Sequence, residues 1–414
     1  METKEYRLKQ VTEKITKGTT PSNIGESFTE EGIMYFRSEL IGKSKYIDKS
    51  DGLLFISNET HEKLKRSQIQ KNDLLFSMAG IYLGKISLVG DEDFPANTNQ
   101  AVAIIRFNSK EIDLEYVYYY MTQRWYNIYI NSLTAQAAQP NINLEQIGNL
   151  KLNLPPLPTQ QKIASILSAY DNLIQNYKKQ IEALQTAANE LYKEWFVRFR
   201  FTGWQNAKFE NGIPEGWKVE RLGNLAEIKS GKRLPQGYDF SDYPTRHPYI
   251  RARDIKHGNI DSNDFAYISD EVYQKLKRYI VDENDILLTI VANIGDVGYV
   301  NKSLQGFNLT ENAVRLTNYS KRIEPRYLCY YLSQPATKIY MEGLAVGAAQ
   351  AKLGIYKIET IKVLLPNINI QKDFSRRITL IHTKIDNLNK QITNLTQQRD
   401  LLLPRLMSGK LELK

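Results

Sequence analysis

Along residues 161–199 apolar side chains recur at alternating spacings of four and three. Leu167, Tyr170, Ile174, Tyr177, Ile181, Leu184, Ala188, Leu191 and Trp195 form one stripe; Lys178, Lys179, Gln180, Glu182, Asn189, Glu190 and Lys193 fall off it. That is the a/d pattern of a coiled-coil helix. The stripe returns after Gln371. Ile378, Ile381, Ile385, Leu388, Ile392, Leu395, Arg399, Leu402 and Leu406 each stand 211 positions after a member of the first. Two helices of one register in one chain are expected partners. Antiparallel packing would place the globular parts at opposite ends, about a pseudo-twofold axis. Arg399, at an a position near a helix end, is expected to snorkel.

The repeat extends beyond the helices. Arg7-Leu8 returns as Arg221-Leu222 and Tyr35-Phe36-Arg37 as Tyr249-Ile250-Arg251, both 214 positions on. Asn72-Asp73-Leu74-Leu75 returns as Asn284-Asp285-Ile286-Leu287 after 212, and 147–155 as 358–366 after 211. The drift marks single-residue gaps in loops. A period near 210 is too long for a solenoid and indicates two copies of one domain-plus-helix unit. Strand-like runs fall at 33–36, 53–56, 73–76, 85–89 and 101–107, with echoes at 249–250, 266–268, 285–290, 297–300 and 313–316. Helical patterns cover 57–67, 114–131, 270–277 and 325–341. Gly, Asn and Asp separate them, which is turn chemistry. The interleaving predicts an α+β domain with a largely antiparallel or barrel-like sheet. Leu154-Pro155-Pro156-Leu157-Pro158 and Leu365-Pro366 precede the long helices, with Thr159 as the expected N-cap. The boundaries read from this are a first globular domain 1–158, a first helix 159–200, a linker 201–217, a second domain 218–368 and a second helix 369–414.

Composition changes this picture little. A chain of 414 residues is too long for one ordinary core. A net charge of +9 suits a polyanion partner but does not by itself establish one. The single cysteine, Cys329, excludes an internal disulfide framework and points to a reducing compartment. No signal-like or membrane-spanning apolar run stands out. A cytoplasmic, two-domain, basic protein is the expectation.

Several motifs then carry a resemblance. Pro155–Ile163 reads Pro-Pro-Leu-Pro-Thr-Gln-Gln-Lys-Ile, residues 191–197 read Leu-Tyr-Lys-Glu-Trp-Phe-Val, and 213–217 read Ile-Pro-Glu-Gly-Trp. Together with the duplication and the two matched helices, they resemble the DNA specificity (S) subunits of Type I restriction-modification systems over essentially the whole chain. The resemblance implies two target-recognition domains, at 1–158 and 218–368, separated by two long helices packed as an antiparallel coiled coil. Each domain would read one half of a bipartite, asymmetric target in double-stranded DNA. The helices would set the unread spacer and dock two modification (methyltransferase) subunits. It implies a non-catalytic chain with no cofactor of its own, S-adenosylmethionine belonging to the methyltransferase partners. Restriction (endonuclease/translocase) subunits join where a nuclease is assembled. A helix of about 37 residues is roughly 55 Å long, or about 16 base pairs of duplex.

Candidate contacts follow from equivalence between the copies. Lys17, Thr19, Thr20 and Ser22 match Lys229, Lys232 and Arg233, and basic and hydroxyl residues around a glycine suit phosphate. An ordinary surface turn is the alternative. Arg37, Arg251 and Arg253 could fork onto guanine or sit in structural salt bridges. Ser77, Tyr82 and Lys85, with Ala79, follow one strand; Thr289, Asn293 and Asp296 follow its echo. Those loops differ in sequence, as readers of distinct half-sites would. Gln100 and Asn312 could pair with adenine or close turns. Gln136 and Gln139 match Gln350 and Lys352 in small-residue loops that permit close backbone approach. Tyr116, Tyr118, Tyr119 and Tyr120 and their echoes Tyr327, Tyr330 and Tyr331 have apolar neighbours and helical spacing, so core packing is expected.

Other chemistries lack their motifs. The run from Gly80 to Lys85 is one residue short of a phosphate-binding loop, and Ile86 replaces Ser/Thr. No Asn-Pro-Pro-Tyr-type tetrapeptide is present, and His61, His247, His257, His382 and Cys329 have no metal-ligand spacing. An enzyme with its own methyltransferase or nuclease is therefore disfavoured. A coiled-coil scaffold that does not read DNA remains the other alternative.

Overall fold

The computed structural model describes residues 2–49, 52–134, 140–256, 258–261, 264–345 and 351–411. The chain divides into two compact units, one of residues 1–179 with 389–414 and one of residues 180–388. Each long helix therefore contributes one segment to each unit.

In the first unit a four-stranded antiparallel sheet runs in the order Thr12–Lys17, Val102–Phe107, Leu74–Ser77, Ile86–Leu88. A second sheet orders Leu54–Ile56, Ile33–Phe36 and Ala96–Thr98; its first pair is antiparallel and its second parallel. Lys4–Arg7 pairs with Lys151–Leu154, so the first strand closes on the last just before the long helix. The second unit repeats all three sheets. Glu227–Ser230, Ala313–Thr317, Ile286–Thr289 and Val297–Tyr299 form the first. Ala266–Tyr267, Pro248–Ile250 and Asn308–Leu309 form the second, again with one parallel pair. Lys218–Arg221 with Lys362–Leu365 forms the third. The second unit adds a small hairpin, Ile255–Lys256 with Asn259–Ile260.

The central strands show why the sequence folds this way. Leu74 and Phe76 face one cluster with the helices, while Leu75 faces another with Val102, Ile104 and Phe36. In the second unit Ile286 and Leu288 face the helices and Leu287 faces away. Both strand faces are covered, so the apolar run is continuous instead of alternating. The edge strands 4–7, 12–17, 151–154 and 362–365 are half polar, and their runs carried no clear signal.

Two expected helices are each broken in two. Residues 114–131 form Leu114–Met121, capped by the Asp113 carboxylate on the Tyr116 N–H, and Arg124–Ser132. Residues 325–341 form Pro325–Leu332 and Pro335–Leu344. Gln334 precedes proline and is extended, with φ −68° and ψ 140°, so the helix cannot run through it. Tyr116, Tyr118, Tyr119, Tyr120 and Tyr327 are buried in the core, as their spacing indicated, and Tyr330 and Tyr331 are half-buried against it.

The first long helix is Leu157–Tyr192 with a wider turn at Lys193–Val197, and the second is Ile368–Met407. The first begins two residues before Thr159, which lies in its opening turn; Pro158 is tolerated there because first-turn N–H groups lack helical acceptors. The two helices pack together. In the first unit Ile163 and Leu167 share a core with Leu406, and Asp171 meets Arg399. One position climbs as the other falls, which is antiparallel. In the second unit Tyr192, Trp195 and Phe196 pack on Phe374 by the same rule. The buried line of the first helix includes Asp171 and Tyr192, next to the apolar positions Tyr170 and Leu191. It shifts because the helix also packs against Leu114–Met121, which offers Asp171 polar partners.

Candidate nucleic-acid interface

A turn at the end of the first strand of the main sheet is built alike in both units. Gly18 donates its N–H to Val102 O at 3.1 Å and Thr19 to Thr98 O at 3.0 Å. Gly231 donates to Ala313 O at 3.1 Å and Lys232 to Leu309 O at 2.9 Å. A Cβ on Gly18 would stand 1.9 Å from Thr98 O, and one on Gly231 2.0 Å from Thr310 O. Only glycine permits this approach. Tyr35 Oη donates to Thr19 O at 3.1 Å and Tyr249 Oη to Lys232 O at 2.6 Å. Burial pushes both phenols up to about 12, so they remain donors. Sequence reasoning used Tyr35 and Tyr249 only to align the copies; their spacing of 214, the same as that of Arg37 and Arg251, was the available signal.

On these turns the chemistry differs. In the first unit Lys17 and Thr19 are half-buried, Ser22 is exposed, and the Thr20 hydroxyl donates to Gln100 Oε1. Arg37 lies at the adjoining strand end, 4.0 Å from Glu39, with its buried Nε unpartnered. In the second unit Lys229 pairs with Glu227 at 3.0 Å and Arg233 with Glu311 at 3.1 Å, while Lys232 is exposed. Such exposed pairs are worth little and can be exchanged for phosphate. Arg251 is held more firmly: its Nε and Nη2 meet Asp254 at 3.1 and 3.0 Å, and Asp254 is buried. The structural role weighed for it is the one it occupies here. Arg253 is exposed and pairs with Asp264 at 2.7 Å.

The second cluster is the loop after the central strand. Lys85 Nζ lies 4.9 Å from the centre of the Tyr82 ring, both at the surface beside exposed Ile81. Ala79 bridges to Asn141, and Val291 to Lys352, so this loop meets the ends of the small-residue segment in each unit. Gln136, Gln139 and Gln350 lie outside the described residues. Asn293 is exposed and Asn312 half-buried, its carbonyl accepting from Ile290 N. Ser77 and Thr289 correct the expectation: both are 0% exposed. They end a strand covered on both faces, and Thr289 Oγ1 accepts from Asp296 N at 2.9 Å. They shape the loop from inside.

The residues that mount these sheets on the helices were missed. Gln160 and Gln371, 211 apart, are both buried. Gln160 Nε2 donates to Pro155 O at 2.8 Å and Glu111 O at 3.1 Å, and its Oε1 accepts from Asp113 N at 2.9 Å. Gln371 makes the same three bonds, to Pro366 O, Arg322 O and Glu324 N, at 2.8, 3.0 and 3.0 Å. A polar network in the first unit joins both helices to the sheet. Buried Lys45 pairs with Glu115, and its Nζ donates to Ser168 Oγ at 3.1 Å. Ser168 also meets Glu115, Tyr119 Oη donates to Asp171 at 2.5 Å, and Asp171 pairs with Arg399. Arg399 thus has a carboxylate partner instead of snorkelling to solvent.

No group of three or more His, Cys, Asp and Glu among the described residues could hold a metal ion. No described helix is long and apolar enough to cross a membrane.

A duplicated α+β unit with glycine-tight basic turns, mounted on paired helices, defines a tandem-domain protein with one such turn in each unit. The Type I restriction modification DNA specificity domain family matches residues 1–186 and again 214–397, and the chain belongs to that family. Two such domains make it the target-recognising, non-catalytic component of a Type I system. Among curated relatives it is similar to the Type I restriction enzyme MjaIX specificity subunit of Methanocaldococcus jannaschii, 26% identical over 99% of this chain and 94% of that one. It is 29% identical to the putative MjaX specificity subunit of the same organism, over 98% and 93%. The fold matches the crystal structure of a Type I restriction-modification S subunit from M. genitalium, with a TM-score of 0.57, 18% identity and coverage of 98% and 96%.

Proposed function

We propose that each unit reads one half of a bipartite, asymmetric DNA target, with reading domains at 1–158 and 218–368. The observation that carries this is the pairing of matched scaffolds with unmatched loops. Gly18 and Gly231, Tyr35 and Tyr249, and Gln160 and Gln371 are equivalent. Thr20–Gln100 in one unit stands where Lys232 and Arg233 stand in the other, and Tyr82–Lys85 where Asn293 stands. Lys17, Ser22, Arg37, Lys229, Arg253, Asn312 and Lys352 complete the proposed contacts. Different side chains at equivalent sites give different half-sites, hence a non-palindromic target.

The 36-residue first helix has a length of about 54 Å, roughly 16 base pairs, and sets the unread spacer. Its outward face, with that of the second helix, docks two modification subunits, which supply the S-adenosylmethionine chemistry. Methylome sequencing of a host expressing this chain with its modification subunit should show one bipartite, asymmetric motif. A continuous palindromic motif would contradict the reading. Inserting one heptad in both helices should alter the spacer and preserve both half-sites.

A further inference from the structure

The 211-residue repeat gives every seam position on one helix a counterpart on the other. In the first unit Asp171 of the first helix meets Arg399 of the second, with side-chain exposures of 6% and 24%. Their counterparts in the second unit are His382 of the second helix and Ala188 of the first. There the imidazole meets Tyr330 Oη at 2.9 Å, and Ala188 is buried in the core. Unlike helices therefore set acid against base at one seam site, while the repeat-equivalent positions carry a histidine and an alanine.

Like helices from two copies of the chain could pair with the same geometry, because the apolar stripes share one register. Two first helices would set Asp171 opposite Ala188 twice, leaving buried carboxylates with no cation. Two second helices would set Arg399 opposite His382 twice, leaving each guanidinium with only its exposed neighbour Asp400 and no carboxylate across the seam. A buried charge without its partner is strongly disfavoured, whereas the apolar stripe does not discriminate. Side-chain volume acts in the same direction. Tyr192, Trp195 and Phe196 of the first helix meet Phe374 of the second. The counterparts are Leu403, Leu406 and Met407 near Ile163. Like pairing would set large aromatics against Ile163, and Leu and Met against Phe374.

We propose that Asp171 and Arg399 are specificity determinants of the helix pair: they enforce pairing of unlike helices, so that one coil always carries two different reading units. The consequence for target asymmetry rests on the reading under Proposed function; the pairing itself does not. The test uses the full chain refolded from urea. A reporter cysteine replaces Ile181, close to position 179.5, halfway between 171 and 188, where two first helices would cross their own symmetry axis. A short bis-maleimide then captures like pairing as a covalent dimer. Asp171→Leu/Arg399→Met, which fills the seam with apolar groups, should raise the captured dimer at least tenfold over the reporter alone. Asp171→Arg/Arg399→Asp, which restores the pair in reverse, should return capture to the starting level. Unchanged capture in the apolar variant, or equal capture in both variants, overturns the proposal. Neither readout involves DNA, so failure of half-site reading would show only in the methylome.

Discussion

The two units mount the same sheets on the same helices with different chemistry. In the first, Lys45, Glu115, Ser168, Tyr119, Asp171 and Arg399 form a polar network, part buried, over an aliphatic floor of Ile163, Leu167 and Leu406. In the second, the counterparts of Glu115 and Ser168 are Arg326 and Thr379. Arg326 stacks 3.5 Å from the centre of the Tyr299 ring instead of joining an acid. Tyr192, Trp195, Phe196, Tyr327, Tyr330 and Phe374 fill the space, with Phe196 4.6 Å from Tyr327 and 5.0 Å from Phe374 between ring centres. A duplicated chain keeps the backbone solution and varies the filling. Backbone geometry is shared because glycine turns and the buried Gln160 and Gln371 impose it. The filling diverges because dispersion between rings and paired charges can each close the same gap.

The comparison can be broken most sharply at Phe374. Phe374→Ala should cost about 4 kcal/mol in urea unfolding, more than the about 3 kcal/mol expected for Ile163→Ala at the equivalent site. Equal losses would show that the aromatic floor is not what distinguishes the second unit. The shared element supplies a control. Gln160→Leu and Gln371→Leu should each cost about 3 kcal/mol, since each strands three backbone partners, one of them buried and two part-buried. A gap between them above about 1 kcal/mol would deny that the two helix starts are equivalent.

Charge removal comes next. Asp171→Ala should cost about 2 kcal/mol by leaving Arg399 half-buried with only the exposed Asp400 as partner, while Asp171→Leu/Arg399→Met should lie within about 1 kcal/mol of the parent. The last test concerns pH. Burial, reinforced by the nearby Arg326 charge, pushes the His382 imidazole down to about 3, so it is neutral in the fold. Its contribution is complete above the ordinary value near 6.5 and is lost as pH falls from there towards 3. The limiting slope is about 1.4 kcal/mol per pH unit. His382→Gln should flatten the stability profile between pH 6 and 4 relative to the parent; an unchanged profile would mean that the ring takes up its proton without penalty.

The candidate turns were legible because duplication marks them. Lys17 with Lys229 and Arg37 with Arg251 were found by spacing alone, and the structure brings Thr20 to Gln100 and Tyr82 to Lys85. Ser77 and Thr289 were misjudged because a strand covered on both faces gives no alternation to show which way a hydroxyl points. Arg251 could not be separated from Arg253 by type; in the structure Arg251 is the more buried and holds Asp254 with two short bonds.

By itself the sequence determined the duplication, the two helices, the apolar floor and the burial of the tyrosines. Each of these is a periodic or repeated property, visible without knowing what lies opposite. Only the tertiary structure decided the polar interior. Asp171 and Arg399 are 228 positions apart, and Lys45 and Ser168 are 123 apart. A charge enters a core only where a partner already waits, and no local pattern records which distant residue that partner is.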